Sequence, residues 1–367
     1  MIYEEAQRYW IWLSSIQGIG ISNFHMLMQE YGEARYVWEQ QVLAKRILKS
    51  GAYAKLKQAC TDEYIDALFS NMEKEGITAV TLLDAEYPER LRRIDHAPPT
   101  LYVRGSLELN DEKMFAIVGS RKITADGLHF TRQIARDLAE RGVNIVSGLA
   151  LGADGQAHSG CLDGGGRTIA VLASGPEHIY PSEHRRLAER ILMSGGSILS
   201  EYPPGVRPDA KNFPQRNRII SGMSDGVLMT EGAVDSGAMI TVRYAREQCR
   251  PCFAVPGSVY SSASAGPNRM LLEGAQITLS YKQVIDYLGW SERSTTSLEA
   301  QPEESEEIEL SEAEQEAVDI LRFEEKSFDE LCILMKKSSA ELNSLLTILE
   351  MRGIIRQSAG KMYRALV

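Results

Sequence analysis

The sequence predicts an α/β protein: a Rossmann-like, doubly wound, mostly parallel sheet with an N-terminal helical domain before it and a C-terminal winged-helix domain after it. Three observations predict this. Short apolar runs without period-two alternation recur between residues 107 and 288, as strands buried on both faces require. Amphipathic segments separate them, the βαβ rhythm of a parallel sheet. The chain then ends in three helical segments and a hairpin, the order of a winged helix.

Taken in order, residues 1–80 read as helical, a domain of the SAM or helix-hairpin-helix type. Gly18-Ile19-Gly20 sits between two apolar-periodic stretches. Such a turn either presents backbone amides to a phosphate or simply joins two packed helices. The second reading is favoured, because only Lys45, Arg46 and Lys49 lie nearby. From Val80 to Gly105, with Pro88, Pro98 and Pro99, the chain reads as a linker packed on the next domain. Residues 81–290 hold that lead-in and the sheet. Its strands are expected at Met114–Val118, Val143–Ser147, Thr168–Leu172, Ser197–Ser200, Gly226–Thr230, Cys252–Val255 and Gln276–Leu279. Helices such as Ala125–Arg141 and Glu183–Ser194 lie between them.

An acidic linker, residues 291–307, leads to the last domain, 308–367. There Leu310–Arg322, Ser327–Met335 and Ser338–Met351 read as helices, the second and third opening on serine N-caps, and Ala359-Gly360 as a hairpin turn. The third helix holds two glutamates and no Lys or Arg. A helix that reads the major groove normally brings cations and amides, so this domain reads as a protein-contact module.

Bulk properties narrow the class. At 367 residues the chain is too long for one small core. No run of 18 apolar residues exists, so no membrane span is expected, and the acidic start MIYEEAQRYW lacks a signal-peptide layout, which points to the cytoplasm. Five scattered cysteines argue against a disulfide framework, and Cys249-Arg-Pro-Cys252 would close a helix rather than open one, the reverse of a redox site. The net charge of −10 is concentrated: nine glutamates and no Lys or Arg lie between Glu299 and Glu316, so the rest of the chain is nearly balanced. A nucleic-acid-binding face is therefore not excluded.

The polar and glycine residues cluster where strands should end, the place where open parallel sheets bind ligands. Gly119-Ser120-Arg121 follows the first strand; it is either an ordinary turn or an anion site with an arginine fork. Ser147-Gly148 opens a glycine loop after the second strand, with Asp154 and His158 four residues apart on one helix face. They read as a metal or acid–base pair, or as an aspartate held by the glycine loop beside a packed histidine; no third metal ligand is visible. Lys211 to Arg218 reads as a basic loop around one aromatic, Phe213, with Arg216, Asn217 and Arg218. Single-strand binding needs that combination, cations for phosphate and a ring for a base. Otherwise Phe213 plugs the core and the arginines pair with Glu231 or Asp235. Glu231, at the fifth strand's end, is a buried ion-pair partner or a general base, and Ser236-Gly237 opens the next helix.

Together, GSR (119–121), SGLALGADGQAH (147–158), GGRTIAVLASG (165–175), IYPSEH (179–184), LSEYPPG (199–205), FPQRNRIISG (213–222), SGAMIT (236–241) and FAVPG (253–257) resemble the DNA-processing protein A family, DprA or Smf. The resemblance implies a non-enzymatic protein without cofactor or metal that binds single-stranded DNA. Such a protein would protect incoming DNA in natural transformation and load the RecA recombinase, as a homodimer, with single-strand-binding protein as a further partner. It places an anion pocket on Gly119, Ser120 and Arg121 and DNA contacts on Lys211, Phe213, Arg216, Asn217 and Arg218. The loop residues Ser147, Gly148, Ser236 and Gly237 join the DNA-binding set, with Asp154, His158 and Glu231 as pocket support. Two other readings compete. A nucleotide-processing hydrolase on a related sheet would use Asp154, His158 and Glu231, but no nucleophile-base-orienter set can be named. A transcriptional regulator would need a more cationic third helix.

Overall fold

The computed structural model describes residues 3–110, 113–290, 310–322, 324–358 and 362–365, in two units, 1–292 and 293–367. The acidic linker and the Ala359-Gly360 turn expected from the sequence lie outside the described residues.

The first unit opens with five helices: α1 (Glu5–Ser15), α2 (Ile21–Tyr31), α3 (Ala34–Glu39), α4 (Ser50–Ala59) and α5 (Asp62–Lys74). They enclose a core of their own around Trp12, Leu13, Phe24, Leu27, Val37 and Leu56. The Trp12 indole, fully buried, donates to the Ala59 carbonyl at 2.7 Å, which satisfies the one polar atom that burial would leave unpaired. Gly18 takes φ +97° and Gly20 caps α2, so the glycine turn is a tight joint between packed helices.

The stretch read as a linker belongs to the sheet. Two strands, β1 (Thr78–Thr81) and β2 (Thr100–Gly105), flank a short helix α6 (Glu89–Arg92) and add an antiparallel edge. Its prolines hid the strands, since Pro98 and Pro99 immediately precede β2 and occupy none of its ladder positions.

Seven further strands are parallel: β3 (Met114–Val118), β4 (Asn144–Ser147), β5 (Thr168–Val171), β6 (Ser197–Ser200), β7 (Gly226–Met229), β8 (Cys252–Ala254) and β9 (Gln276–Ile277). The order is β1-β2-β6-β5-β4-β3-β7-β8-β9. The intervening helices are α7 (Ala125–Ala139), α8 (Ala153–Asp163), α9 (Arg185–Met193), α10 (Asn212–Gly222), α11 (Gly237–Glu247), α12 (Ala265–Leu272) and α13 (Tyr281–Tyr287). Both faces of the sheet are covered. Met114, Ala116 and Val118 of β3 enter one core and Phe115 and Ile117 the other, and Val227 and Leu228 of β7 divide likewise. This is why the strands read as unbroken apolar runs. From β3 the chain works outward to β6 and then returns to place β7 on the other side of β3. The carboxyl ends of β3 and β7 are therefore the topological switch point, where an open sheet parts its loops into a crevice.

The second unit holds α14 (Glu312–Leu321), α15 (Phe328–Met335) and α16 (Ser339–Met351) with a three-stranded sheet of β10 (Lys326–Ser327), β12 (Met362–Ala365) and β11 (Ile355–Ser358). Ser311, Ser327 and Ser338 each cap a helix and are answered by a glutamate three residues on, a reciprocal box that satisfies two amides per helix start. Leu321, Leu331, Leu342 and Leu349 fill its core. No helix among the described residues is long and apolar enough to cross a membrane.

Candidate nucleic-acid interface

A cleft of about 650 Å³ opens at the switch point, lined by Gly119, Ser120 and Arg121 after β3, by Phe213, Arg216 and Asn217 of α10, and by Ser236 and Gly237 at the start of α11. The loops of β3 and β7 are tied together at its rim, where the Ser120 amide donates to the Glu231 carbonyl at 2.7 Å. A Cβ on Gly119 would stand 2.7 Å from that of Ala153, so only glycine lets α8 approach this closely.

The segment expected as a basic loop is helical. α10 begins at Asn212, and Pro214 occupies its first turn, where a missing N–H costs nothing. Helical spacing splits the cations between inside and outside. Arg216 is buried, its Nη1 donating to the carbonyls of Gly148, at 2.8 Å, and Val171. A Cβ on Gly148 would lie 2.5 Å from Nη2 and 2.7 Å from Cζ, so this glycine makes the space in which the guanidinium lies. Burial pushes the Arg216 pKa down to about 10, with Asp154 opposing that fall and Arg121 adding to it. The group stays cationic at neutral pH, a positive charge fixed under the cleft.

Arg218 is turned away from the cleft lining. Both its terminal nitrogens reach the Glu201 carboxylate, at 2.6 and 3.1 Å, in a bidentate pair whose side chains are 8% and 11% exposed. Its partner is thus Glu201, and not the Glu231 or Asp235 considered from sequence. Ser147 is likewise fully buried and donates to the Ile117 carbonyl at 2.7 Å. Ser147, Arg216 and Arg218 are all buried; Ser147 and Arg218 do not line the cleft, whereas Arg216 forms part of its lining.

What faces solvent is a different set. Arg121 is exposed, and its guanidinium lies over the Phe213 ring, 5.5 Å from the centroid; that of Arg216 stands at 6.0 Å. Tyr180, absent from the expected set, packs its ring 5.6 Å from Phe213 at 59° and lines the same cleft. The available signal was its place in the IYPSEH motif, residues 179–184. Phe213 is half-buried, so it neither plugs the core nor stands free. Asn217 donates to the Gly237 carbonyl at 3.2 Å and binds α10 to α11. Ser236 caps α11 without a side-chain bond, and its buried Oγ has no partner among the described residues. Lys211 is exposed at the start of α10, beside Asp209 at 2.9 Å; it lines a neighbouring groove instead of this cleft.

Asp154 and His158 share a helix but not a hydrogen bond. Asp154 accepts from the Gly148 and Ala150 amides at 3.2 and 3.3 Å, and burial raises its pKa against the opposing pull of Arg216 and those amides. His158 Nδ1 meets Thr168 Oγ1 at 2.7 Å, and since that hydroxyl donates to the Ile145 carbonyl, Nδ1 carries the hydrogen. Burial pushes the His158 pKa down to about 3, so the ring is neutral. Glu231 caps α7: it accepts from the Thr124 amide at 2.9 Å and the Thr124 hydroxyl at 2.6 Å. No cluster of three metal-ligating side chains occurs among the described residues.

Fold and cleft together define an α/β module with arginines and an aromatic ring lining a cleft at the sheet's switch point. Residues 78–289 match the family model described as DNA recombination-mediator protein A, and residues 301–361 match that of the DprA winged helix domain. The chain belongs to the DNA recombination-mediator protein A family, as its motifs suggested. It is similar to Protein Smf of Synechocystis sp., 36% identical over 290 residues, which cover 77% of this chain and 73% of that one. With the DNA processing protein DprA of Bacillus subtilis it shares 34% identity over 67% of its length and 85% of the relative's. Among solved structures, DprA from Streptococcus pneumoniae superposes with a TM-score of 0.65 at 30% identity, covering 78% of this chain and 98% of that one. DNA processing protein A from Helicobacter pylori, described for its unique single-stranded DNA binding mode, gives 0.53 at 30% identity, over 59% of this chain and 98% of that one.

Proposed function

We propose that this chain is a non-enzymatic, single-stranded DNA-binding recombination mediator of the cytoplasm. One observation carries the reading: the arginine-covered Phe213 ring beside the free start of α11, with the Arg216 charge fixed beneath. A phosphate meets Arg121 and the Gly237 amide at the start of α11, while a base stacks at Phe213 and Tyr180. The single-stranded DNA binding mode described for the Helicobacter relative supports this ligand class. The hydrolase reading is weakened because Asp154 and His158 are each engaged in separate bonds that hold the fold.

The deciding experiment is fluorescence anisotropy of labelled oligo-dT at two salt concentrations. Salt-sensitive binding that Arg121→Ala abolishes supports the reading; absence of binding at low salt by the folded protein defeats it, and adenine released from AMP would favour the hydrolase.

Protection of incoming DNA during natural transformation, delivery of the strand to the RecA recombinase and contact with single-strand-binding protein extend the same proposal. So does a homodimer through the β8–β9 end of the sheet, where Tyr260 and Leu272 are 97% and 90% exposed. Leu272→Asp should convert a concentration-dependent dimer to monomer in sedimentation velocity; an unchanged dimer would place the interface elsewhere.

A further inference from the structure

A second depression adjoins the cleft. Pro208, in the loop between β6 and α10, lines both, and on the facing loop Tyr180 lines the first while His178 and Ile179 line the second. This second groove, about 490 Å³, is lined by Arg104 of β2, Arg185 of α9 and Arg207 of the β6–α10 loop.

Arginines elsewhere in the sheet unit are mostly neutralised: Arg90 by Asp225, Arg132 by Asp163, Arg218 by Glu201 and Arg246 by Glu273. These three are not. Among the described residues none of their side chains has an ion-pair or hydrogen-bond partner. The acids on the same walls are Glu177, engaged by the Gly205 amide and by His178 at 3.3 Å, and Glu189. The cations outnumber them. Three guanidiniums against two carboxylates leave the groove with an excess of positive charge, which favours an arriving polyanion.

The groove on the other side of Pro208 shares Arg207 but offers less: Lys211 sits on Asp209 at 2.9 Å, and Lys55 reaches Gln17 at 3.4 Å. We propose that Arg104, Arg185 and Arg207 form a second phosphate subsite, which takes the backbone of the same DNA strand after it crosses the Tyr180–Pro208 wall. This rests on the reading of the first cleft as a single-strand site.

The test compares oligo-dT of about 6 and about 30 nucleotides, lengths within and beyond one compact site. It uses the full chain, the triple variant Arg104→Gln/Arg185→Gln/Arg207→Gln, and the double variant Arg185→Gln/Arg207→Gln, which spares the half-buried Arg104 if the triple folds poorly. The variants should bind the short oligomer like the unaltered protein but lose the affinity gained with length. The salt slope for the long oligomer should fall by about 0.7 per lost phosphate contact, about 2 for the triple. Unchanged length dependence and slope would overturn the subsite while leaving the first cleft intact. Lost binding of inorganic phosphate with length dependence retained would assign the groove to a free anion and overturn the strand path. If Arg121→Ala leaves short-oligomer binding untouched, the first reading falls, and this extension with it.

Discussion

The two units differ in the chemistry of their surfaces. In the sheet unit, Arg121, Arg216 and the start of α11 converge on one cleft. In the winged-helix unit, α16 stands where such a motif usually reads bases, yet it carries no Lys or Arg, and its Glu341 is engaged in the Ser338 capping box. Large apolar side chains stand exposed in that unit, Met351 at 85% and Ile333 at 75%, with Lys336 and Arg352 exposed at helix ends. Cations that converge give affinity for a phosphate chain, and apolar side chains left in water give a surface for protein. Resemblance to a DNA-reading fold does not by itself locate DNA binding.

The largest test of this contrast is Arg216→Ala. It strips donors from two buried carbonyls and removes the cation beside Asp154, so urea unfolding should show a loss of about 3 kcal/mol together with lost DNA binding. A loss below about 1 kcal/mol would mean the buried arginine is not what holds the cleft. Acid offers a second test. His158 is held neutral in the fold, its pKa pushed down from 6.5 to about 3, whereas the unfolded chain takes up the proton below 6.5. Its contribution is present in full above pH 6.5 and is lost as pH falls toward 3, at about 1.4 kcal/mol per pH unit. His158→Gln should flatten the stability profile in that window; an unaltered slope would refute the assignment.

Arg121→Ala should cost oligo-dT affinity on the order of 10- to 100-fold while leaving the urea midpoint unchanged, the reverse of a scaffold residue. Gly148→Ala, which drives a methyl into the Arg216 guanidinium, should destabilise by about 1–3 kcal/mol. The smallest expected effect is in the other unit. Ile333→Ser with Met351→Ser should leave oligo-dT affinity within about twofold, and a larger loss would break the division of labour.

The sequence was most legible where local pattern and tertiary role agree. The central strands are apolar on both faces and were found within a residue or two, and the serine caps of α15 and α16 are written in four-residue boxes. It was least legible where burial decides. The run from Lys211 to Arg218 looks like a solvent loop because its polar residues are dense, yet α10 turns Arg216 and Arg218 inward, toward partners 45 or 68 residues away in one case and 17 in the other. Nothing in a local window reveals that Gly148 leaves room for a guanidinium. Tyr180 was overlooked for a related reason: its meeting with Phe213 joins a loop to a helix 33 residues further on.

Phe213 is already covered before any ligand arrives, by Arg121 above its ring and Tyr180 at its side. A base that stacks there takes the place of a guanidinium and displaces little water from open apolar surface. Exchange of one π-partner for another, with the released arginine free to meet the phosphate, removes little hydrocarbon from solvent at this point. Strand binding at this ring should therefore carry a small heat-capacity change, with its salt dependence residing in the arginine that moves aside.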